Sequence, residues 1–428
     1  MKYFHSVTLD DKRCTGSTNC IKHCPTEAIR VRKSKATIIN ERCIDCGVCI
    51  RVCPYHAKKA VADRPEDIEK YRYKIALPAP SLYGQYDFSR KKILAGLLKL
   101  GFDAIYEVAK GAELVTYTTN MLLDKPGNRY PLISSACPAV VKLIQVRFPD
   151  LIDHIIKIGS PMEVSAAMAA EEAMKKTGLP RSDIGIFFIS PCAAKVTNVK
   201  APYEKSSSAV NGVIAISEIY KNLLEACNRV DDADLDLDLD LAGFQGVVWA
   251  DSGGEAAGIK KHKKLAVDGI HNVIDIFEKI ENGELRDIEF IEALACTGGC
   301  LGGPLTVENP FVAKTILRSK EDVFVRKSEV YIPEEELNKY VWTNDIQYKP
   351  ILKLNDDLGT ALEMLEKLEE ITESLPGLDC GACGAPGCRA LAEDIVRGIS
   401  VKSDCIVELK DKVKKLEQEI MHLKGQST

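Results

Sequence analysis

Two things are missing from this chain. There is no surplus of positive charge, since 57 basic against 62 acidic side chains leave a formal net charge of −5. A protein that mainly binds nucleic acid needs cations to neutralise phosphates, so that class is set aside. Long apolar runs are missing too. The opening MKYFHSVTLDDKRC has no apolar core of the kind a secretory leader needs, and no stretch approaches the ~18 consecutive apolar residues of a membrane helix. The expectation is a cytoplasmic protein without membrane contact. What the chain has in plenty is cysteine, 16 in 428 residues, beside seven histidines. In a reducing compartment so many thiols point to metal rather than disulfides. The length suggests roughly three domains.

The cysteines fall into three groups. Cys43, Cys46, Cys49 and Cys53-Pro54 have the Cys-x-x-Cys-x-x-Cys-x-x-x-Cys-Pro spacing that holds a cubane iron–sulfur cluster in bacterial ferredoxins. An earlier copy reads Cys14, Ser17, Cys20 and Cys24-Pro25, with one serine substituted. Each run sends its fourth cysteine to the other cluster. One cluster is therefore assigned to Cys43, Cys46, Cys49 and Cys24, the other to Cys14, Cys20 and Cys53 with Ser17 at the second position. A serine oxygen is harder than sulfur and holds its proton more tightly. Serine ligation, a three-iron cluster and a labile cluster all fit that position. The segment TEAIRVRKSKATIIN is expected to form the hairpin that frames the clusters. At the other end, Cys380, Cys383, Cys388 and Cys405 suit a further 4Fe–4S cluster, with a zinc site as competitor.

Between them, short apolar runs alternate with helical patterns. YKIALPAP, RYPLISSACP, DIGIFFISPC, FQGVVWADSGG and FIEALACTGG read as strands; RKKILAGLLKLG, PAVVKLIQVRF and SPMEVSAAMAAEEAMKKTG read as helices. The alternation predicts an α/β (α+β) domain with ligands at the strand C-terminal ends, where Cys137, Cys192, Cys296 and Cys300 fall. Cys227 stands apart as a structural thiol.

SSACPAVV, SPCAAK and EALACTGGCLGGP match, in order, the three signatures of the FeFe hydrogenase catalytic domain, and the chain resembles that family over nearly its whole length. The resemblance implies two lobes, each a small mixed sheet flanked by helices, clasping an H-cluster. It implies Cys137, Cys192, Cys296 and Cys300 as ligands of the cubane part, with Cys300 bridging to a two-iron subcluster that carries CO, CN and azadithiolate. That subcluster is absent from protein made without its maturation enzymes. Lys195 would donate to a cyanide. The leading cysteine of the first signature, the family's proton carrier, is Ala136 here, and the methionines of the other two signatures are Ser190 and Leu294. These departures resemble the sensory members of the family, so slow, reversible interconversion of H₂ with protons and electrons is expected, in the service of H₂ or redox sensing. An ordinary ferredoxin-linked hydrogenase and a non-hydrogenase relative in iron–sulfur maturation are the alternatives. Glu255, placed at a strand end, and Glu292 are candidate proton relays, against a plain reading as paired or solvated carboxylates.

The expected divisions are a double 4Fe–4S ferredoxin-like domain at 1–70, the H-cluster domain at 71–350, a C-terminal cluster domain at 351–405 and a helix at 406–428. Ile406, Leu409, Val413, Leu416, Ile420 and Leu423 have coiled-coil spacing. They suit a homodimer seam leading to an absent signalling domain, such as a kinase or phosphatase, or a helix packed on its own domain. A redox partner such as ferredoxin is expected. Asp231 to Asp240 reads as an edge strand. Leu358, Leu362, Leu365 and Leu368 mark a helix packed on a neighbouring domain.

Overall fold

The computed structural model describes residues 4–236, 240–320, 333–351 and 353–425. The cysteine repeat near the start is a structural repeat. Strand β1 (Val7–Leu9) is followed by helix α1 (Asn19–Lys22) and the antiparallel hairpin β2 (Ile29–Arg32) and β3 (Lys35–Ile38). The second copy carries α2 (Val48–Arg51) and β4 (Lys58–Ala60), which pairs with β1. Left-handed backbone recurs at matching places in the two copies: Gly16 and Asp45, Thr18 and Gly47, Glu27 and His56. So does a backbone N–H to sulfur bond, from Ala28 to Cys24 Sγ at 3.2 Å and from Ala57 to Cys53 Sγ at 3.3 Å.

The central region holds strands β5 (Tyr73–Pro78), β6 (Ala104–Ile105), β7 (Leu132–Ile133), β8 (Ile184–Ser190), β9 (Gly212–Ala215), β10 (Lys264–Asp268) and β11 (Phe290–Leu294). They make two sheets, ordered β6–β5–β8–β9 and β10–β11–β7. Among the described residues the pairings in these two sheets are all parallel, for example Ile75 opposite Ile186 and Leu265 opposite Ile291, where mixed sheets were expected. Parallel strands are covered on both faces, which explains their nearly continuous apolar runs. In the four-stranded sheet, Ala76, Phe187, Ile189 and Ile214 enter one core, while Ile75, Leu77, Ile186, Phe188 and Val213 enter another on the opposite face.

The covering helices are α3 (Arg90–Lys99), α4 (Val108–Leu123), α5 (Pro138–Arg147), α6 (Pro161–Thr177), α7 (Ala193–Lys200), α8 (Ile216–Asn228), α9 (Phe244–Val248), α10 (Gly254–Ala257), α11 (Ile270–Glu281) and α12 (Pro310–Ser319). Three expectations are corrected here. FQGVVWADSGG is not a strand but α9 and the turn into α10, so Glu255 sits in a short helix and not at a strand end. The cause is tertiary: a Cβ on Gly246 would lie 2.1 Å from the Ala109 carbonyl oxygen, so glycine lets α9 settle onto α4. Within Asp231–Asp240, residues Ala233–Leu235 form a 3-10 turn and not an edge strand, and 237–239 lie outside the described residues. There the Asp231 and Asp234 carboxylates each accept the other's backbone N–H, at 3.0 and 2.9 Å, which fixes a turn. Of Leu358, Leu362, Leu365 and Leu368, only Leu368 is buried. Cys227 is buried between α3 and α8, against Gly96.

By its contacts the chain forms two compact units: residues 1–7, 44–47 and 60–349, and residues 8–43, 48–59 and 350–428. The second unit contains α13 (Leu358–Ser374), α14 (Cys388–Val396) and α15 (Ile406–Gly425). Inside that unit a cluster of buried charges joins the β2 hairpin to α14. Arg30 Nε donates to both Asp394 oxygens at 3.0 and 2.8 Å, Arg32 donates to Asp394 Oδ2 at 2.8 Å, and Arg42 pairs with Glu393. Burial raises the Glu393 carboxyl, but the guanidinium groups of Arg42 and Arg397 more than offset it and hold the group below its ordinary value. The cysteine loop joins this contact. Val31 N–H donates to the Gly384 carbonyl at 2.8 Å, and a Cβ on Gly384 would lie 1.7 Å from the Val31 oxygen. Along α15 the apolar stripe is open to solvent, from Ile406 (40% exposed) to Leu423 (64%).

Candidate metal centre

Three loops at the C-terminal ends of parallel strands bring Cys137, Cys192 and Cys300 to one cavity, and Cys296 lies on the third of these loops. Cys137 follows β7 and caps α5, Cys192 follows β8 and caps α7, and Cys296 and Cys300 follow β11. The third loop depends on glycine: Gly298 and Gly299 have φ of 79° and 67°, and a Cβ on Gly303 would lie 2.2 Å from the Pro191 carbonyl oxygen. That close approach lets Leu305 N–H bond to Pro191 at 2.9 Å, tying the Cys300 loop to the Cys192 loop.

A largely apolar cavity opens between these loops. Ala136, Cys137, Cys192, Lys195, Glu255, Glu292, Leu294 and Cys300 line it, with Met162, Phe188 and Trp249 among the apolar walls. Burial and the neighbouring Cys137 sulfur push the Cys192 thiol up to about 11. Cys300 is exposed, but the protein atoms around its sulfur and the sulfurs of Cys192 and Cys137 push its thiol up to about 12. Sulfurs that disfavour each other's ionisation become good ligands once a cation cluster neutralises them. Lys195 Nζ is buried here with no hydrogen-bond partner. The Glu204 carboxylate acts on it electrostatically without a hydrogen bond, so a metal group with an anionic ligand would supply the acceptor this cavity leaves open.

Ala136 presents a methyl group to the cavity. Behind it, Ser134 Oγ accepts the Ala136 N–H at 3.3 Å and donates to Glu255 Oε2 at 2.6 Å. Burial, then the charge of Glu292, hold the Glu255 carboxyl well above its usual range. Burial also lifts Glu292 to about 7, against the pull of two backbone N–H groups, Ala256 at 2.7 Å and Gly253 at 2.9 Å. Asp251 lies on the outer side, paired with Lys314 at 3.0 Å and Arg318 at 2.6 Å. Ser190 is not among the residues lining the cavity. Its hydroxyl accepts the Cys192 N–H at 3.0 Å and shapes that loop.

The family model "Iron only hydrogenase large subunit, C-terminal domain" matches residues 72–264 and 242–304, more than half of the chain. The chain belongs to this iron-only hydrogenase family. A 4Fe-4S dicluster domain model matches residues 6–54 of this family member, and an Fe-S cluster domain model matches residues 375–407. The hydrogenase-family chain is 24% identical over 352 residues to the NADP-reducing hydrogenase subunit HndD of Solidesulfovibrio fructosivorans, covering 69% of this chain and 56% of that protein. It is also 22% identical over 290 residues to a cytosolic Fe-S cluster assembly factor of Drosophila willistoni, covering 55% of this chain and 60% of that one. It therefore spans little more than half the length of these curated relatives. Among solved structures, [FeFe]-hydrogenase HydA1 from Chlamydomonas reinhardtii superimposes with a TM-score of 0.53 at 15% identity, over 67% of this chain and 98% of that one. The hydrogenase fold is thus shared.

Within the second unit, Cys20 lies close enough to Cys14 and Cys53 to feel their charges, and Cys383 close enough to Cys380 and Cys405. Ser17 is exposed. None of the described helices is long and apolar enough to cross a membrane. Sequence reasoning missed Ser134 and the Arg30, Arg32 and Arg42 cluster. Ser134 was legible in SSACP as a hydroxyl two residues before the alanine; the arginines carry no local signal.

Proposed function

We propose that this iron-only hydrogenase-family protein interconverts H₂ with protons and electrons slowly, and does so to sense H₂ or redox state. The observation that carries the reading is the unpartnered ammonium of Lys195, buried in the cavity beside Cys192 and Cys300. Cys137, Cys192, Cys296 and Cys300 would hold a 4Fe–4S cluster with a two-iron group, and Lys195 would donate to an anionic ligand of that group. When bound, that group supplies the cleavage and formation of the H–H bond. The chain's own residues supply the rest. Apolar walls at Met162, Phe188 and Trp249 keep water scarce, which strengthens the contact from Lys195. Ala136 carries no proton, and losing a positioned acid–base group costs roughly 10²–10⁴-fold in rate. Glu255 and Glu292 form the remaining polar edge of the cavity, with Ser134 bonded to Glu255 behind it, and a proton would be held at the Glu255 carboxyl and passed outward by way of Glu292. Slow turnover suits a sensor, which needs occupancy of a state more than flux. Electrons would pass through clusters at Cys14, Cys20 and Cys53, at Cys43, Cys46, Cys49 and Cys24, and at Cys380, Cys383, Cys388 and Cys405, with a ferredoxin as the expected donor.

A second reading, a role in iron–sulfur protein maturation without a two-iron site, is favoured by the loss of the proton carrier at Ala136 and by the similarity to the assembly factor. Infrared spectroscopy of protein produced with the maturation enzymes separates the two. The hydrogenase reading expects carbonyl and cyanide bands. Their absence from fully matured protein would leave the maturation reading.

A further inference from the structure

A two-residue turn at Lys33 and Ser34, both left-handed, closes the β2–β3 hairpin. Arg32 and Lys35 are the pair beside the turn. In the next pair, Val31 opposite Ala36, neither N–H is used within the hairpin, and each meets a cysteine loop. Ala36 N–H donates to Cys14 Sγ at 3.4 Å. Val31 N–H donates at 2.8 Å to the carbonyl of Gly384, the residue after Cys383. One cross-strand pair, about 4.5 Å between its α-carbons, therefore links the two loops.

Side chains and glycines hold both loops in place. Lys35 Nζ donates to the Cys14 carbonyl at 2.8 Å, and Arg32 Nη1 donates to the Cys383 carbonyl at 2.6 Å. A Cβ on Gly16 would lie 2.8 Å from Ser34 Cα, as one on Gly384 would lie 1.7 Å from the Val31 oxygen. A second contact runs beside the first: a Cβ on Gly381, next to Cys380, would lie 3.5 Å from Ile21 Cδ1, next to Cys20. The other ferredoxin-like cysteine set has a longer link. From Cys43 it runs through the Arg42 side chain to Glu393, more than one turn of α14 beyond Cys388.

We propose that the β2–β3 hairpin conducts electrons directly between the cluster of Cys14, Cys20 and Cys53 and the cluster of Cys380, Cys383, Cys388 and Cys405. The C-terminal cluster thus exchanges with the cluster at Ser17 and not with its ferredoxin-like twin. The proposal rests on the reading of both cysteine sets as iron–sulfur sites. The step moves one electron: the reduced cluster is oxidised as its neighbour is reduced, no bond breaks and no proton moves.

The test is electron paramagnetic resonance of the full-length, cluster-loaded protein. The C-terminal signal is the component that Cys383→Ala removes, and the Cys14 signal the one that Cys20→Ala removes. In fully reduced wild type the neighbouring spin should broaden the C-terminal signal. Cys20→Ala should abolish that broadening, and Cys49→Ala, which removes the twin, should leave it. After a flash that delivers at most one electron per molecule, samples frozen at successive times should show both signals rising together. Gly384→Ala drives a methyl into the Val31 carbonyl, and there one signal should lag. Arg32→Met with Lys35→Met, which releases both cysteine carbonyls, gives the same comparison if Gly384→Ala does not fold. An unbroadened C-terminal signal, broadening lost in Cys49→Ala instead of Cys20→Ala, or no lag in the hairpin variants would overturn the route. If Cys383→Ala and Cys20→Ala remove no signal, the reading of these cysteines as cluster ligands itself fails.

Discussion

Removing the carboxylate of Asp394 should loosen the β2 hairpin and α14 together. Asp394 accepts three bonds from two arginines, and Arg30 beneath it is only 5% exposed. In Asp394→Ala that guanidinium keeps its charge and loses its counter-charge, which costs about 3–5 kcal/mol. Arg32, with 29% of its side chain exposed, regains water and adds little. Arg42 and Glu393 remain paired. Hydrogen exchange read by mass spectrometry reports the opening of each segment directly. Amides of Ile29–Arg32 and Cys388–Val396 should lose roughly 10²- to 10³-fold in protection, while β5 and β8 in the other unit stay as they are. Replacing the pair with apolar groups, Arg30→Met with Asp394→Leu, should restore most of the protection, since the loss comes from the stranded charge and not from the missing bonds. Acid supplies an independent arm. The Glu393 carboxyl titrates below its unfolded value of 4.5, so its contribution is complete above that pH and disappears as pH falls through the lower folded value. Protection in Asp394→Ala within about threefold of wild type would refute the reasoning.

Two further predictions concern the polar edge of the cavity and the serine in the first cluster run. Glu255→Gln and Glu292→Gln should each lower H₂ turnover of matured protein by roughly 10²-fold or more, measured as gas evolved from reduced viologen; wild-type rates in both would remove them from the proton route. Electron paramagnetic resonance of the wild-type ferredoxin-like region should show one abnormal cluster, and Ser17→Cys should convert it to an ordinary 4Fe–4S signal. Two ordinary signals before the substitution would defeat the reading of Ser17.

What could be read from the sequence was whatever is encoded locally. The strand and helix runs around Cys137, Cys192 and Cys296 were legible because apolar periodicity and a cysteine at the strand end occupy about ten consecutive residues. The duplicated ferredoxin-like turn was legible for the same reason. The errors share one cause. GVVWA is rich in residues that favour strands, but Gly246 gives α9 a backbone contact with α4 that outweighs this preference. The alternation in Asp231–Asp240 yields to carboxylates that bond to the backbone beside them. The charges at Arg30 and Asp394 lay out of reach because their partners are distant in the chain.

The end of the second unit carries a consequence of its own. Cys405 is the residue before α15, and its carbonyl accepts the N–H of Leu409 at 2.9 Å, an early bond of that helix. One residue thus ends the cysteine set and anchors a lever of some 20 residues with an open apolar stripe. A cluster bound through Cys405 would hold the root of that lever still, and its loss would let the root turn.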